Sequence, residues 1–376
     1  MQQNPTLWRD PATHLAREQP DQPVLYFDPA LLQATARQFQ GGFDGLVTYA
    51  VKANDSAVVL DNLVAAGLTA FDVASPAEMA AVRRALPSAT LHYNNPVRSA
   101  AEITAGIAAG VASWSVDDMG ELRKLHAVPR DCEVAVRFAL PVSGAAYDFG
   151  AKFGATPEHA VELLRAVAEM GFAPSLCFHP GTQCEDPNVW VVYIRAAAEI
   201  TKTAGVTVGR VNVGGGFAAL RGRGVPGLGA GFEVIDGAVT DAFGAQRPDL
   251  LCEPGRAMVA EAFSLAARVK AVRAPDQLFL NDGIYGGLAD LRDMALSHRV
   301  RVYAPDGQLR EAAPRPRVIF GPTCDSLDRL PDGLPLPDDL QAGDYVLFDA
   351  MGAYSIAMST AFNGYGLRDV ISTQSL

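Results

Sequence analysis

The stretch Leu-Val-Thr-Tyr-Ala-Val-Lys-Ala-Asn at residues 46–54 opens the pattern that decides the fold. A short apolar, β-branched run ends in a polar residue, and an Ala/Leu-rich segment of helical period follows. This unit recurs, with predicted strands at 46–51, 70–74, 90–93, 112–116, 133–138, 175–179, 210–213 and 250–253. Near-continuous apolar strands that alternate with helices predict an α/β protein with a parallel (β/α)8 barrel of TIM type. An open doubly wound sheet is the alternative.

The sequence pattern of the chain changes after residue 265. Short β-like runs at 264–272, 318–320 and 345–348 are separated by turns rich in proline and glycine. This pattern predicts a C-terminal, mostly antiparallel β domain, either a sandwich or a barrel. The predicted organisation is an N-terminal segment at 1–25 that packs on the β domain, a barrel at 26–265 and the β domain at 266–376.

Composition limits the classes of function. With 376 residues, 49% of them hydrophobic, the chain can bury a large core. A formal charge of −11 disfavours nucleic acid as a partner. No apolar run approaches the roughly 20 residues that span a bilayer, and no segment resembles a signal peptide, so a cytoplasmic location is expected. The 5 scattered cysteines lack metal-ligand spacing, which argues against a disulfide framework and a structural zinc site.

Polar residues follow the first two strands, at the barrel end where active sites lie. Lys52 comes directly after the first apolar run, where removal from water would favour a neutral amine able to form a Schiff base. For Lys52 alone, a lysine at the barrel rim with its charge in solvent is the commoner alternative. Asp72 and Glu78 follow the second strand, and an ordinary acid at a helix start is the alternative for them.

The later strand ends supply groups for a planar ring and a phosphate. Arg137 and His179 follow the fifth and sixth strands, and the three glycines 214–216 after the seventh let the backbone approach an anion. Glu253 and Arg256 follow the eighth strand. A lysine, an acid for a ring nitrogen and a phosphate cradle together predict pyridoxal 5′-phosphate. A dinucleotide fingerprint competes weakly, because the glycines do not open a nucleotide-binding βαβ unit.

Several motifs, in order over nearly the whole chain, resemble those of a known family. They are Tyr-Ala-Val-Lys-Ala-Asn at 49–54, Phe-Asp-Val-Ala-Ser at 71–75, the turn at His179, Val-Gly-Gly-Gly-Phe at 213–217, Glu-Pro-Gly-Arg at 253–256, Asn-Asp-Gly-Ile-Tyr-Gly at 281–286, Gly-Pro-Thr-Cys-Asp at 321–325, Gly-Ala-Tyr at 352–354 and Phe-Asn-Gly-Tyr at 362–365. The chain resembles the alanine racemase-fold (fold-type III) amino-acid decarboxylases that depend on pyridoxal phosphate. Within them it looks most like the ornithine and lysine/ornithine decarboxylases.

The resemblance implies a role for each matching residue. Lys52 would hold the cofactor, His179 would stack on the ring, and Glu253 would pair with the ring nitrogen. Groups around the cofactor would be Asp72, Glu78 and Arg137, with Thr182, Gly215, Gly216, Gly255, Arg256 and Tyr354 around the phosphate. The implied assembly is a homodimer with shared sites, in which Cys324 and Asp325 enter from the partner subunit and join Asp282 and Phe362.

The implied reaction is decarboxylation of a basic L-amino acid, ornithine before lysine, to a diamine and carbon dioxide. The Cys324 thiol would deliver a proton to Cα, and Asp325 with Asp282 would bind the distal ammonium. Diaminopimelate decarboxylase, or a decarboxylase of an atypical diamino acid, is the main alternative. A racemase is disfavoured because Glu253 stands where an arginine is expected. A non-catalytic regulatory homologue would be expected to lose the lysine, the interface cysteine or the second domain.

Three places depart from the family pattern. Pro180 follows His179 where small apolar residues are usual, and residues 220–231 form an unfamiliar Gly/Arg/Pro stretch. Residues 287–300 are unusually charged, so Asp290, Arg292 or Asp293 would alter the distal pocket if they reached it. An arginine there would favour a substrate with a second anion.

Overall fold

The computed structural model describes residues 7–140, 152–219, 227–273, 276–292, 294, 299–331 and 333–376. Its strands are β1 Val24–Phe27, β2 Leu46–Val47, β3 Tyr49–Ala50, β4 Ala70–Val73, β5 Thr90–Tyr93, β6 Ser113–Val116, β7 Glu133–Arg137, β8 Ala173–Cys177, β9 Arg210–Asn212, β10 Asp249–Cys252, β11 Phe263–Arg273, β12 Gln277–Leu280, β13 Val300–Tyr303, β14 Pro314–Phe320, β15 Leu334–Pro337, β16 Tyr345–Asp349 and β17 Asp369–Ser372. Its helices are α1 Pro11–Glu18, α2 Pro29–Gly42, α3 Ala57–Ala65, α4 Pro76–Ala85, α5 Ala100–Ala109, α6 Met119–Lys124, α7 Pro157–Glu169, α8 Asn188–Ala204, α9 Leu228–Phe243 and α10 Arg256–Val259.

The strands of one sheet form a closed parallel ring. Their order is β2-β10-β9-β8-β7-β6-β5-β4-β3. Strands β2 and β3 are two halves of the first barrel strand, interrupted at Thr48, whose hydroxyl donates to the Cys252 carbonyl at 3.0 Å. Because β2 pairs with β10 and β3 pairs with β4, the sheet has no free edge. The predicted (β/α)8 barrel is confirmed, and the open sheet is excluded.

Helix starts follow from local capping. The Ser75 hydroxyl accepts from the Glu78 N–H at the start of α4, and Pro76 occupies the first helical turn. At α5, Ser99 and Glu102 form a reciprocal capping box. These contacts satisfy N–H groups that have no acceptor within the helix, so each helix begins at a fixed distance from the preceding strand end. The polar residues of the strand–helix connections are held in place as a result.

The second sheet is mostly antiparallel, as predicted. Its order is β13-β16-β11-β12-β14-β15, and β1 pairs antiparallel with β11 and parallel with β17. All four residues of β1 are buried, so a segment from near the N-terminus is part of this sheet.

Internal contacts divide the chain into two units. The barrel unit comprises the described residues 35–218 and 227–257, and the β unit comprises 7–34, 219 and 258–376. The finer domain bounds at 26–265 and 266–376 stay a prediction. In the part of the chain that the structure describes, no helix has the length and apolar character needed to cross a membrane.

An aromatic cluster outside the barrel fixes the segment after the glycine turn. The ring centroid of Phe217 lies 5.0 Å from Trp190 of α8 and 5.5 Å from Phe39 of α2. Phe232 of α9 lies 5.7 Å from the same ring. Burial of one such side chain contributes about 1.5–3 kcal/mol, so Phe217 anchors the adjacent turn to three helices.

Candidate active site

Lys52 lies in a short 3₁₀ turn, Val51–Ala53, directly after β3. The residue is exposed, so the desolvation that the sequence suggested is not found, and that part of the prediction was wrong. Its positive charge instead acts on the carboxyl groups of Asp72, Glu78 and Glu253. Asp72 lies in β4, Glu78 lies in the helix that follows it, and Glu253 follows β10, so the geometry brings the predicted residues together around the lysine.

Asp72 and Glu253 are two buried carboxyl groups that lie close enough for the charge of Glu253 to act on Asp72. Burial raises the pKa of Asp72 well above its ordinary value, and the negative charge of Glu253 raises it further. Burial also raises the pKa of Glu253, opposed first by a hydrogen bond from Asn212 and then by the charges of Lys52 and Arg137. Two buried carboxyl groups favour a positively charged group beside them, since the positive charge offsets their mutual repulsion.

Glu78 caps the helix that follows β4. Its Oε2 accepts from the Ala74 N–H at 2.7 Å, and its own N–H donates to the Ser75 hydroxyl at 3.3 Å. These contacts are those of an ordinary acid at a helix start, which was the alternative that the sequence suggested for Glu78. Burial raises the pKa of Glu78. A direct role at the cofactor stays a prediction.

His179 is held as a neutral ring. The Gly181 N–H donates to its Nδ1 at 3.2 Å, which makes Nδ1 the acceptor and places the ring proton on Nε2. Burial lowers the pKa of His179 well below its ordinary value, and the charges of Lys52 and Arg137 lower it further. A neutral imidazole can lie against a planar ring without the cost of burying a charge.

The glycine turn leaves no room for side chains. Gly214 and Gly216 have φ angles of 72° and 89°, which favour glycine. A Cβ at Gly214 would overlap the Phe178 carbonyl oxygen, and one at Gly216 would lie 2.7 Å from the Gly181 carbonyl oxygen. In the described part of the chain, the N–H groups of Gly215 and Gly216 donate to no acceptor. Two such N–H groups in one glycine turn suit an anion.

The remaining residues predicted at the phosphate are placed as follows. Gly255 lies against the lysine turn, since a Cβ there would be 3.2 Å from the Ala53 Cβ. Arg256 starts α10 and is 7% exposed, and Thr182 is half-buried. Tyr354 belongs to the β unit and has a positive φ of 59°. Their contacts with a phosphate stay predictions.

These features of the barrel unit fit pyridoxal phosphate. The buried carboxyls suit its protonated ring nitrogen, the neutral imidazole suits its ring, and the glycine N–H groups suit its phosphate. The amine of Lys52 is the kind of group that would bind its aldehyde.

The β unit brings Cys324 and Asp325 of the 321–326 turn into a partly exposed cluster. The Cys324 N–H and Sγ lie 3.1 and 3.2 Å from Asn363 Oδ1, so both donate to that oxygen. Asp325 accepts from the Leu327 N–H at 3.0 Å and from the Tyr285 hydroxyl at 2.5 Å, and these two bonds lower its pKa.

Phe362 completes this cluster. It is 43% exposed, and its ring centroid lies 5.0 Å from that of Tyr285. The sequence analysis missed Tyr285 and Asn363 as members of the site. Both residues lie within the motifs quoted above, near the predicted residues Asp282 and Phe362. An aromatic or polar side chain at these positions was the signal that could have found them.

Asp282 has a different environment. It is 1% exposed, and its two carboxylate oxygens both accept from the Gly287 N–H, at 3.2 and 2.9 Å. Burial raises its pKa to about 7. The side chain closes the turn at 282–287, and its role as a ligand of the substrate stays a prediction.

The segments that depart from the family pattern are described only in part. Asp290 is 6% exposed, whereas Arg292 is exposed. Asp293 lies outside the described residues, as do 220–226 of the stretch at 220–231.

Comparison with known proteins decides the family. Residues 30–260 match the model of the pyridoxal-dependent decarboxylase, pyridoxal binding domain. The chain belongs to the pyridoxal-dependent decarboxylase family. Ornithine decarboxylase of Mus musculus is 30% identical over 350 residues, which cover 84% of this chain and 73% of that protein. The predicted resemblance is confirmed. This decarboxylase is therefore an enzyme that acts on an amino acid, with pyridoxal 5′-phosphate as its cofactor.

Two solved structures support the same conclusion. Lysine/ornithine decarboxylase of Vibrio vulnificus, complexed with putrescine, is 28% identical with a TM-score of 0.82, covering 96% of each chain. The arginine decarboxylase of Paramecium bursaria Chlorella virus has 25% identity and a TM-score of 0.84, covering 96% of this chain and 98% of that one.

Proposed function

We propose that this decarboxylase converts a basic L-amino acid, ornithine in preference to lysine, into a diamine and carbon dioxide. The observation that carries the proposal is the half-buried Asp325 carboxylate, which two hydrogen bonds keep ionised. An ionised carboxylate beside a thiol and an aromatic ring suits the distal ammonium and methylene chain of such a substrate. The similar proteins are named for ornithine, for lysine and ornithine, and for arginine, which supports a basic substrate.

The barrel unit would hold the cofactor. Lys52 would supply the amine that holds it covalently, and His179 would lie against its ring. Glu253 would keep a negative charge beside the ring nitrogen. Bound pyridoxal phosphate supplies a ring that accepts the electron pair left when carbon dioxide leaves Cα.

Cys324 would complete the reaction. Loss of carbon dioxide leaves Cα one proton short of the amine product, and a thiol beside it can deliver that proton. Asn363 Oδ1 accepts from Sγ and so fixes the direction of the S–H bond. The thiol regains its proton from water before the next turnover.

We infer that the active enzyme is a homodimer with shared sites. The support is that a functional group and apolar side chains are exposed together: Cys324 is exposed, Phe362 is 43% exposed and Leu327 is 71% exposed, with the half-buried Asp325 beside them. Apolar side chains so exposed favour contact with another protein surface. Cys324 and Asp325 of one chain would then act at the cofactor of the other.

The same carboxylate argues against diaminopimelate as the substrate. Its distal group carries a carboxylate as well as an ammonium, and Asp325 would repel that carboxylate. The retained Lys52 and Cys324 argue against a non-catalytic homologue.

A product assay tests the proposal. The purified holoenzyme is incubated separately with L-ornithine, L-lysine, L-arginine and meso-diaminopimelate, and products are identified by mass spectrometry. We expect putrescine to form fastest and cadaverine next. Lysine formed from diaminopimelate, or no diamine at all from an enzyme that carries its cofactor, would overturn it.

A further inference from the structure

Asn94 binds Glu253, one of the two buried carboxyl groups of the barrel unit. It directly follows β5, and its Nδ2 donates to Glu253 Oε1 at 2.5 Å. Asn212 at the end of β9 donates to the same oxygen. Both amides therefore act on Oε1, and in the described part of the chain no residue donates to Oε2. The Glu253 side chain is thus held through hydrogen bonds to Oε1, and Oε2 remains available to a group bound in the site.

Asp72 is the second carboxyl near Asn94. It is 7% exposed, and the Asn94 amide lies close enough to lower its pKa. In the described residues, Asp72 Oδ1 and Asn94 Oδ1 are both buried without a hydrogen-bond partner. Both atoms are acceptors while Asp72 is ionised, so a proton on Asp72 is the donor that this part of the site lacks.

A primary amide suits this position between the two carboxyls. It donates an N–H to Glu253 and carries no charge of its own. A hydrogen bond to an ionised carboxylate favours the ionised form, and Glu253 Oε1 accepts two such bonds, from Asn94 and Asn212. The two carboxyls, which are close enough to influence each other, therefore differ in how strongly each holds a proton.

We propose that Asn94 is a positioning residue that holds Glu253 ionised, with Oε2 directed at the cofactor ring nitrogen, while Asp72 keeps the proton of the pair. This inference rests on the proposed role of Glu253 as the partner of that nitrogen. Asn94 acts through Glu253 and contacts neither the substrate nor the reacting atoms. Its loss removes one of two donors from Glu253 and lets the proton move between the carboxyls, so the ring nitrogen loses its fixed negative partner.

The experiment reads the ring nitrogen directly. Wild-type enzyme and Asn94→Ala are loaded with cofactor labelled with ¹⁵N in the ring, and the nitrogen resonance is followed against pH without substrate. Asn95→Ala is the matched control, because Asn95 is the next residue and its side chain contacts Ala74 and Val97 instead. We expect a protonated nitrogen in the wild type and in Asn95→Ala, and a shift toward the neutral nitrogen in Asn94→Ala.

Kinetics separate positioning from substrate binding. In Asn94→Ala we expect kcat to fall by about tenfold or more, the usual effect of losing a hydrogen bond to a charged group, with KM nearly unchanged. Asn94→Ser keeps one donor and should give intermediate values, and it replaces Asn94→Ala if that variant does not fold. A wild-type ¹⁵N resonance in both Asn94 variants would overturn the inference.

The outcome is independent of the substrate proposed above. If no diamine forms from any amino acid, the substrate proposal fails, while the resonance still tests Asn94. If Glu253→Gln leaves the resonance unchanged, the role of Glu253 fails, and the inference about Asn94 fails with it.

Discussion

The hydroxyl of Tyr285 donates to the carboxylate of Asp325 at 2.5 Å. This bond, with that from Leu327, lowers the pKa of Asp325, while the same carboxylate raises the pKa of Tyr285. Tyr285 therefore both orients the carboxylate and keeps it ionised.

Replacement of Tyr285 by phenylalanine is expected to raise KM for ornithine about tenfold, since one hydrogen bond to the charged carboxylate is lost. We expect kcat to change little, because the proton at Cα comes from elsewhere. Tyr303→Phe is the control, since its hydroxyl contacts only Arg301 among the described side chains. Steady-state kinetics of both variants would contradict the role of Tyr285 if their KM values matched.

Replacement of Gly216 by alanine is expected to weaken cofactor binding. The added Cβ would lie 2.7 Å from the Gly181 carbonyl oxygen at a φ of 89°. Strain of this kind costs about 1–3 kcal/mol, which corresponds to a loss of affinity of roughly 5- to 150-fold. Titration of the apoenzyme with pyridoxal phosphate measures it.

Gly209→Ala is the control for that change, because a Cβ at Gly209 meets nothing within 4 Å. An equal loss of affinity in both variants would show that the glycine turn does not bind the phosphate.

Two inactive variants should restore activity when mixed, if the sites are shared. Lys52→Ala lacks the cofactor lysine, and Cys324→Ala lacks the thiol. Random exchange of subunits gives one intact site in half of the dimers, or about a quarter of wild-type activity for a symmetric dimer. Mixing after partial dissociation, followed by assay of putrescine, measures this. Activity that stayed at the level of the separate variants would indicate that each site uses residues of one chain.

His92 should make the fold sensitive to acid. It is 2% exposed, and burial, with the charge of Arg210, lowers its pKa to about 3. Between pH 6.5 and about 3 the unfolded chain binds a proton at this position that the folded chain does not. The contribution of His92 to the free energy of unfolding therefore falls as the pH falls, by at most about 1.4 kcal/mol per pH unit.

Asp72 and Glu253 have raised pKa values, so their contribution to the free energy of unfolding falls as the pH rises, opposite to that of His92. The effect of His92 is therefore measured as a difference in the free energy of unfolding between wild type and a His92 variant. Urea unfolding of wild type and His92→Gln is compared from pH 7 to pH 4. The difference should shrink toward acid pH, and His126→Gln, at an exposed position, controls for the loss of one histidine. A constant difference would contradict the buried neutral state of His92.

The barrel could be predicted because each of its strands carries its signal locally. An apolar run, a polar strand end and a capped helix occur within about 25 residues, and parallel strands place their ends at one rim. The candidate residues Lys52, Asp72, His179 and Glu253 therefore came together as expected. The exposure of Lys52 could not be predicted, because an apolar run shows where a strand ends but does not show which atoms cover the turn that follows.

The β sheet was harder to predict because its pairs are distant in sequence. Strand β1 pairs with β11 and β17, more than 200 residues away. Strand β14 contains Pro314 and Pro316, which were interpreted as turn residues. They lie opposite prolines of β15 in register, at alternate positions, so the residues between them keep N–H groups for pairing.

Contacts between side chains of different motifs were also beyond the sequence. The bond from Tyr285 to Asp325 and the bond from Asn94 to Glu253 each join residues more than 20 positions apart. Asp282 is a further case, because its motif did not indicate that both carboxylate oxygens accept from the Gly287 N–H.

The most direct test of the account compares L-ornithine with L-norvaline, which has the same carbon chain without the distal amine. We predict that kcat/KM for ornithine exceeds that for norvaline by at least about 100-fold, because Asp325 binds the distal ammonium. Asp325→Ala should lose most of this preference and keep its cofactor. Equal kcat/KM values for the two substrates, or a preference that persists in Asp325→Ala, would contradict the central claim.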